Sequence, residues 1–70
     1  MRKPFIETLT ELAEKDPRVF LIIGDVGFSF IEGFRVKFPK QFLNVGVLEQ
    51  TMMGFAVGMA HQGYKPCVYT

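Results

Sequence analysis

Hydrophobic and polar positions follow two rhythms along this chain, and the switches between them divide it into elements. From Pro4 to Lys15 the apolar residues Phe5, Ile6, Leu9, Leu12 and Ala13 recur at helical spacing, with Glu7, Glu11, Glu14 and Lys15 elsewhere. This predicts an amphipathic helix over residues 4–15. Pro4 suits its first turn, where no backbone N–H is needed. Asp16-Pro17 ends it, because the residue before a proline avoids the α region. Val19–Ile23, VFLII, is a continuous apolar run rich in β-branched residues, the pattern of a strand buried on both faces of a parallel sheet. It stops at the glycine-punctuated turn Gly24-Asp25-Val26-Gly27.

The rhythm then repeats. Ser29 reads as an N-cap with Glu32 as its capping-box partner. They open a helix over Phe30–Lys37 that presents Ile31, Phe34 and Phe38 and is stopped by Pro39. Phe42–Val45 reads as a second strand. Gly46 opens a long helix over Val47–Gln62, Gly63 is a natural C′ residue, and a third strand starts at Cys67. The order α-β-α-β-α-β with short connections argues for a parallel sheet with right-handed crossovers. Three strands are few for such a domain. The expected fold is α/β, an incomplete three-layer parallel sheet forming the first half of a larger domain. Met1 reads as a true amino terminus and Thr70 as a break inside or just after the third strand.

The long helix changes the picture. Met52, Met53, Phe55, Ala56, Val57, Met59 and Ala60 leave almost no polar side. A helix apolar all round is expected to be buried all round. In so thin a domain the second covering surface is either the rest of the domain or another subunit. Gly54 and Gly58 would let that surface come close. Eight phenylalanines in 70 residues point the same way, being more apolar payload than a chain this short hides by itself.

Charge and cysteine content mainly exclude. The net charge of +1 comes without any block of like charges, so no nucleic-acid or anionic-membrane partner is expected. Cys67 is alone, so no intrachain disulfide forms, which fits a cytoplasmic location. No targeting segment is visible. The apolar run from Val45 to Ala60 is interrupted by Glu49, Gln50 and Thr51 and is too short to span a bilayer.

Ligands of open parallel sheets gather at the carboxyl ends of strands. Two loops qualify, Gly24–Ser29 and Val45–Glu49, and both are expected at one edge. The first offers Asp25 and Ser29; the second offers Asn44, backbone groups around Gly46, Glu49 and Gln50. Glu49 is a carboxylate among Val47, Leu48, Met52 and Met53. It is either a helix-dipole partner or a group held for a ligand. Asp25 is either a turn-former or a ligand group. Ser29 fits a cap better than a nucleophile, since no G-x-S-x-G elbow occurs. His61 reads as a surface residue and Cys67 as a small core residue. No metal-ligand spacing, G-x-G-x-x-G or P-loop pattern is present.

Taken together, F-P-K-Q-F-L-N-V-G-V-L-E-Q, T-M-M-G-F-A-V-G-M-A and H-Q-G-Y-K-P-C-V-Y-T resemble the start of the pyrimidine-binding domain of the transketolase family. R-V-F-L-I-I-G-D-V-G resembles that family's strand ending in an aspartate loop. The resemblance covers nearly the whole chain and centres on Gly46-Val47-Leu48-Glu49-Gln50. It implies a thiamine diphosphate enzyme moving two-carbon ketol units between sugar phosphates. The glutamate matching Glu49 would be catalytic, hydrogen-bonding N1′ of the aminopyrimidine ring and so activating the cofactor. Asp25, Val47 and Leu48 would lie near that cofactor, and a buried, dry setting would strengthen the Glu49 bond. Leu48 stands where alanine is usual, and Thr51-Met52 replaces Asn-Met, both changes of packing. The resemblance also implies that Mg2+ and the diphosphate are held by a domain absent from residues 1–70. The partner would then be a homo- or hetero-oligomeric, diphosphate-binding transketolase subunit. Sibling readings are a 1-deoxyxylulose-5-phosphate synthase-like enzyme and a 2-oxoacid dehydrogenase β-type subunit. A reading of another class is a non-catalytic dimerising partner or degenerate paralogue.

Overall fold

The computed structural model describes the backbone of residues 2–25 and 28–69 and the side chains of residues 4–25 and 31–69. Three helices and three strands alternate: α1 (Arg2–Lys15), β1 (Val19–Ile23), α2 (Phe28–Lys37), β2 (Phe42–Asn44), α3 (Glu49–His61) and β3 (Lys65–Tyr69). A single 3₁₀ turn, Pro39–Gln41, joins α2 to β2. The strands form one parallel sheet in the order β2-β1-β3. Leu21 stands opposite Phe42 and Cys67, and Ile23 opposite Asn44 and Tyr69.

The alternation of side chains along β1 builds the two sides of the core. Val19, Leu21 and Ile23 meet Ile6, Leu9 and Ala13 of α1 and Ile31 and Phe34 of α2. Ile22 points the other way and meets Met52 and Ala56 of α3. The result is the expected three layers, with α1 and α2 on one face and α3 on the other. Crossovers of a single hand require this when one runs from β1 to β2 and the next runs back past β1 to β3. Because α2 and α3 lie on opposite faces, the carboxyl edge between β1 and β2 is a topological switch point, where such sheets place their ligands.

Polar groups fasten the rest. Gln41 Nε2 donates to the carbonyls of Ala13 and Asp16 at 3.3 Å and of Val19 at 2.8 Å, tying the end of α1 to the start of β1. At the amino edge of the sheet Asp16 accepts from Arg18 and from Lys65 of β3. The Arg18 and Lys65 hydrogen bonds hold its carboxyl well below the usual carboxylate range. Lys37 of α2 pairs with Glu14 of α1.

Several boundaries differ from the sequence reading. Helix α2 begins at Phe28, so Ser29 lies inside it rather than at its N-cap; the side chain of Ser29, the turn residues Val26 and Gly27, and Thr70 lie outside the described residues. Leu12 is 50% exposed, off the apolar face of α1. Strand β3 starts at Lys65, before Pro66. A proline is tolerated there because β3 lies at an edge of the described sheet and only one side must donate.

Helix α3 is the largest departure. It is not buried all round: Met52 and Ala56 are buried, while Met53 is 55%, Phe55 49% and Val57 57% exposed. A single sheet face covers only one side of a helix, and within the described residues no second layer reaches the other. A full Schellman turn ends the helix. Gly63, at φ 91°, donates to Ala60 O and Tyr64 donates to Met59 O, as the C′ glycine predicts.

Candidate functional site

The carboxyl ends of β1 and β2 bring the two candidate loops together at one edge, as the alternation required. Asp25 follows β1 with φ 60°, left-handed geometry that aspartate and asparagine tolerate better than most residues. The backbone N–H of Asp25 donates to Asn44 Oδ1 at 3.0 Å, and Asn44 Nδ2 donates to Asp25 Oδ1 at 3.3 Å. The same Asn44 Oδ1 accepts from Gly46 N–H at 2.9 Å. Two backbone donors fix the amide, since only its oxygen can accept. The amino group is thereby aimed at the Asp25 carboxylate.

Gly46 then turns with φ 76°, a left-handed conformation that glycine adopts without strain. This keeps Val47 and Leu48 out of the helix, so α3 starts at Glu49 and not at Val47. Leu48 is the N-cap and supplies no side-chain acceptor. Leucine is among the poorest caps, so this helix start breaks a local rule, which is common where a site has other demands. Glu49 occupies the first helical position, where the helix dipole favours an anion. Among the described residues no hydrogen bond or ion pair engages its carboxylate. Val47 and Leu48 are exposed beside it.

The buried, dry setting expected for Glu49 is therefore not formed within this chain: Glu49, Val47, Leu48 and Asp25 are all exposed. The physical reason is the one that leaves the outside of α3 bare, the absence of a second layer over this edge in the described residues. The edge joins Asp25 to Asn44, and through Asn44 to Gly46, whereas among the described residues no hydrogen bond joins Asp25 to Glu49. Asn44 was visible as a loop residue. Its linking role had a sequence signal in the Asn-x-Gly spacing of an Asx turn.

The arrangement suits a ligand with an apolar ring and a polar ring atom. The Glu49 carboxylate, unpaired among the described residues, follows two exposed aliphatic residues, Val47 and Leu48, at the carboxyl edge of the sheet, and the residues fit an aminopyrimidine on that ground. Elsewhere, His61 is exposed at the end of α3, and burial pushes the half-buried Cys67 thiol up. Among the described residues no group of three or more His, Cys, Asp or Glu is placed to hold a metal ion. No helix of the described residues is long and apolar enough to cross a membrane.

These features define a class: an α/β layer fold that presents the carboxylates of Asp25 and Glu49 at the carboxyl edge of a parallel sheet. All of residues 1–70 match the family described as transketolase, pyrimidine binding domain. The chain belongs to that family, a family of thiamine diphosphate enzymes. It is 47% identical over 68 residues to a 1-deoxy-D-xylulose-5-phosphate synthase of Lawsonia intracellularis, covering 91% of this chain and 10% of that protein. A transketolase family protein of Sinorhizobium fredii is 40% identical over 68 residues, 96% of this chain and 20% of its own length. An uncharacterized protein of the fasciation locus of Rhodococcoides fascians is 36% identical over 66 residues, 94% and 21% respectively. The chain thus spans between a tenth and about a fifth of the length of these relatives.

Proposed function

We propose that this chain is the part of a thiamine diphosphate-dependent, transketolase-type enzyme that presents Glu49 to the cofactor's aminopyrimidine. The enzyme would move two-carbon ketol units between sugar phosphates in the cytoplasm. The observation that carries this reading is the Glu49 carboxylate at the first turn of α3, unengaged among the described residues and beside exposed Val47 and Leu48. Bound thiamine diphosphate would supply the carbanion chemistry of such a transfer. The chain's own residues would do the rest. Glu49 would accept or share a proton at the ring nitrogen, Val47 and Leu48 would shape an apolar seat, and Asp25 would line the far side of the switch point.

A partner would complete the site. It would be a second, diphosphate- and Mg2+-binding transketolase subunit or domain, laid over this edge and over the exposed side of α3. Desolvation on assembly would then give Glu49 the dry surroundings that strengthen its hydrogen bond.

The test uses the full polypeptide that carries this chain, assembled with its diphosphate-binding partner and loaded with thiamine diphosphate and Mg2+. Glu49→Gln is expected to lower turnover of ketose phosphate donors about a hundredfold or more. Parental turnover in that variant would sink the catalytic assignment. A parent with no turnover would favour the non-catalytic dimerising partner instead.

A second reading is favoured by the relatives named as 1-deoxy-D-xylulose-5-phosphate synthase. A 1-deoxy ketose carries a methyl group where a transferred ketol leaves a hydroxymethyl. The donor would then be an acyl source such as a 2-oxoacid, not a ketose. Offering both donors with an aldehyde phosphate acceptor and analysing the product at C1 separates the two readings.

A further inference from the structure

We infer that Asn44 is a positioning residue of this site, the clasp that holds the loop after β1 to the turn before α3 and so fixes where Glu49 stands. The inference rests on the proposed cofactor role of Glu49 but concerns a different residue and a different bond. Strand β2 pairs with β1 only through Leu21–Phe42, Ile22–Leu43 and Ile23–Asn44, with one further bond from Val45 N–H to Ile23 O at 3.0 Å. Past that point the backbone ladder ends and the two loops part toward opposite faces of the sheet. Asn44 bridges them there. Its single oxygen accepts from Asp25 N–H on one loop and Gly46 N–H on the other, and its amino group holds the Asp25 carboxylate.

Both residues that donate to that oxygen stand in left-handed conformations, Asp25 at φ 60° and Gly46 at φ 76°. Such geometry persists where surrounding bonds over-determine it. The chain between Gly46 and the first turn of α3 holds little else: Leu48 N–H donates to Gly46 O at 3.0 Å, and the cap has no side-chain acceptor. The Gly46 turn is therefore the lever that sets the start of α3, and Asn44 is what anchors the lever to β1.

The experiment uses the full, assembled protein and three readouts: amide hydrogen exchange at Asp25 and Gly46, thiamine diphosphate affinity by calorimetric titration in the presence of Mg2+, and the melting temperature. Asn44→Leu keeps the size and removes the acceptor. It is expected to speed exchange of both amides about tenfold and to weaken cofactor binding by a similar factor. The double exchange of Asn44→Asp with Asp25→Asn retains an oxygen that both N–H groups can reach and keeps one amide-to-carboxylate bond, with donor and acceptor swapped. It is expected to restore amide protection to within about threefold of the parent.

Parental exchange and affinity in Asn44→Leu would overturn the inference. So would a double exchange whose two amides exchange as fast as those of Asn44→Leu, because the oxygen acceptor would then not be what matters. If Asn44→Leu fails to fold, the double exchange alone decides by the same criterion. Glu49→Gln in the same assembly separates the two claims. It is expected to leave the Asp25 and Gly46 amides protected while turnover falls, so a failure of the Glu49 reading appears in turnover and a failure of the clasp appears in the amides.

Discussion

Gln41 and Asn44 position the chain by satisfying backbone groups, and Asp16 does so through side-chain ion pairs. Gln41 shares two amide hydrogens among three carbonyls, those of Ala13, Asp16 and Val19. Gln41→Leu leaves these partly buried acceptors without that donor and is expected to cost about 1–3 kcal/mol, read as a lowered denaturant midpoint of the polypeptide that carries the chain. Asp16 ties β1 to β3 through Arg18 and Lys65. Its carboxyl titrates lower in the folded state than its ordinary 3.8, so its contribution is present above about pH 4 and is lost as pH falls through the acid range. Asp16→Asn is expected to melt below the parent at pH 7, with the gap closing below about pH 3. Exposure and screening keep that gap small. A gap that persists unchanged into acid would show that the pair does something other than ionic bonding. At this scale Glu49 could be singled out because a carboxylate among Val47, Leu48, Met52 and Met53 is chemically odd. Gln41 could not, because its three acceptors come from residues more than twenty positions away.

Elements were legible in proportion to how local their causes are. Strand β1 runs over Val19–Ile23 as read, since five consecutive apolar residues admit few other fates. The Schellman end of α3 followed from Gly63. The start of α3 did not follow, because the left-handed Gly46 turn that delays it depends on Asn44 being held against Asp25. Nor did the start of β3, because Pro66 reads as a breaker until the strand is known to lie at an edge. The two sides of α3 give a direct prediction. Met52 is almost fully buried against Ile22, and Met52→Ala is expected to cost about 2–5 kcal/mol. Val57→Ala, on the exposed side, is expected to change stability by less than about 0.5 kcal/mol in the unassembled polypeptide. Equal losses in chemical denaturation would show that α3 is covered on both sides even before assembly.

At the scale of the whole chain, the exposed apolar surface is the dominant fact. Gly54, Phe55, Gly58, Met59 and Tyr64 line an open groove of about 550 Å³ along one flank of α3, and among the described residues no atom outside the helix stands within 4 Å of where a Cβ at Gly54 or Gly58 would lie. Two consequences are expected. The isolated 70 residues fold weakly, since a core this small rarely offsets the entropy of ordering. A sharp, cooperative melt of that peptide would contradict this. In the assembled protein, Gly58→Leu is expected to disrupt association, seen as a lower sedimentation coefficient; an unchanged coefficient would place the partner elsewhere.

The sequence alone determined what depends on neighbours along the chain: the alternation of helices and strands, the parallel sheet that alternation demands, the buried central strand, and the motif that marks Glu49. Family membership was legible for the same reason, since its motif is contiguous. Tertiary structure alone decided which groups meet across that order. It set β1 between β2 and β3, made a switch point where α2 and α3 part, clasped Asp25 to Gly46 through Asn44, and, within the described residues, left one side of α3 and the Glu49 edge uncovered. A helix apolar all round states that both sides must be covered. Only the placement of the sheet shows that this chain covers one of them.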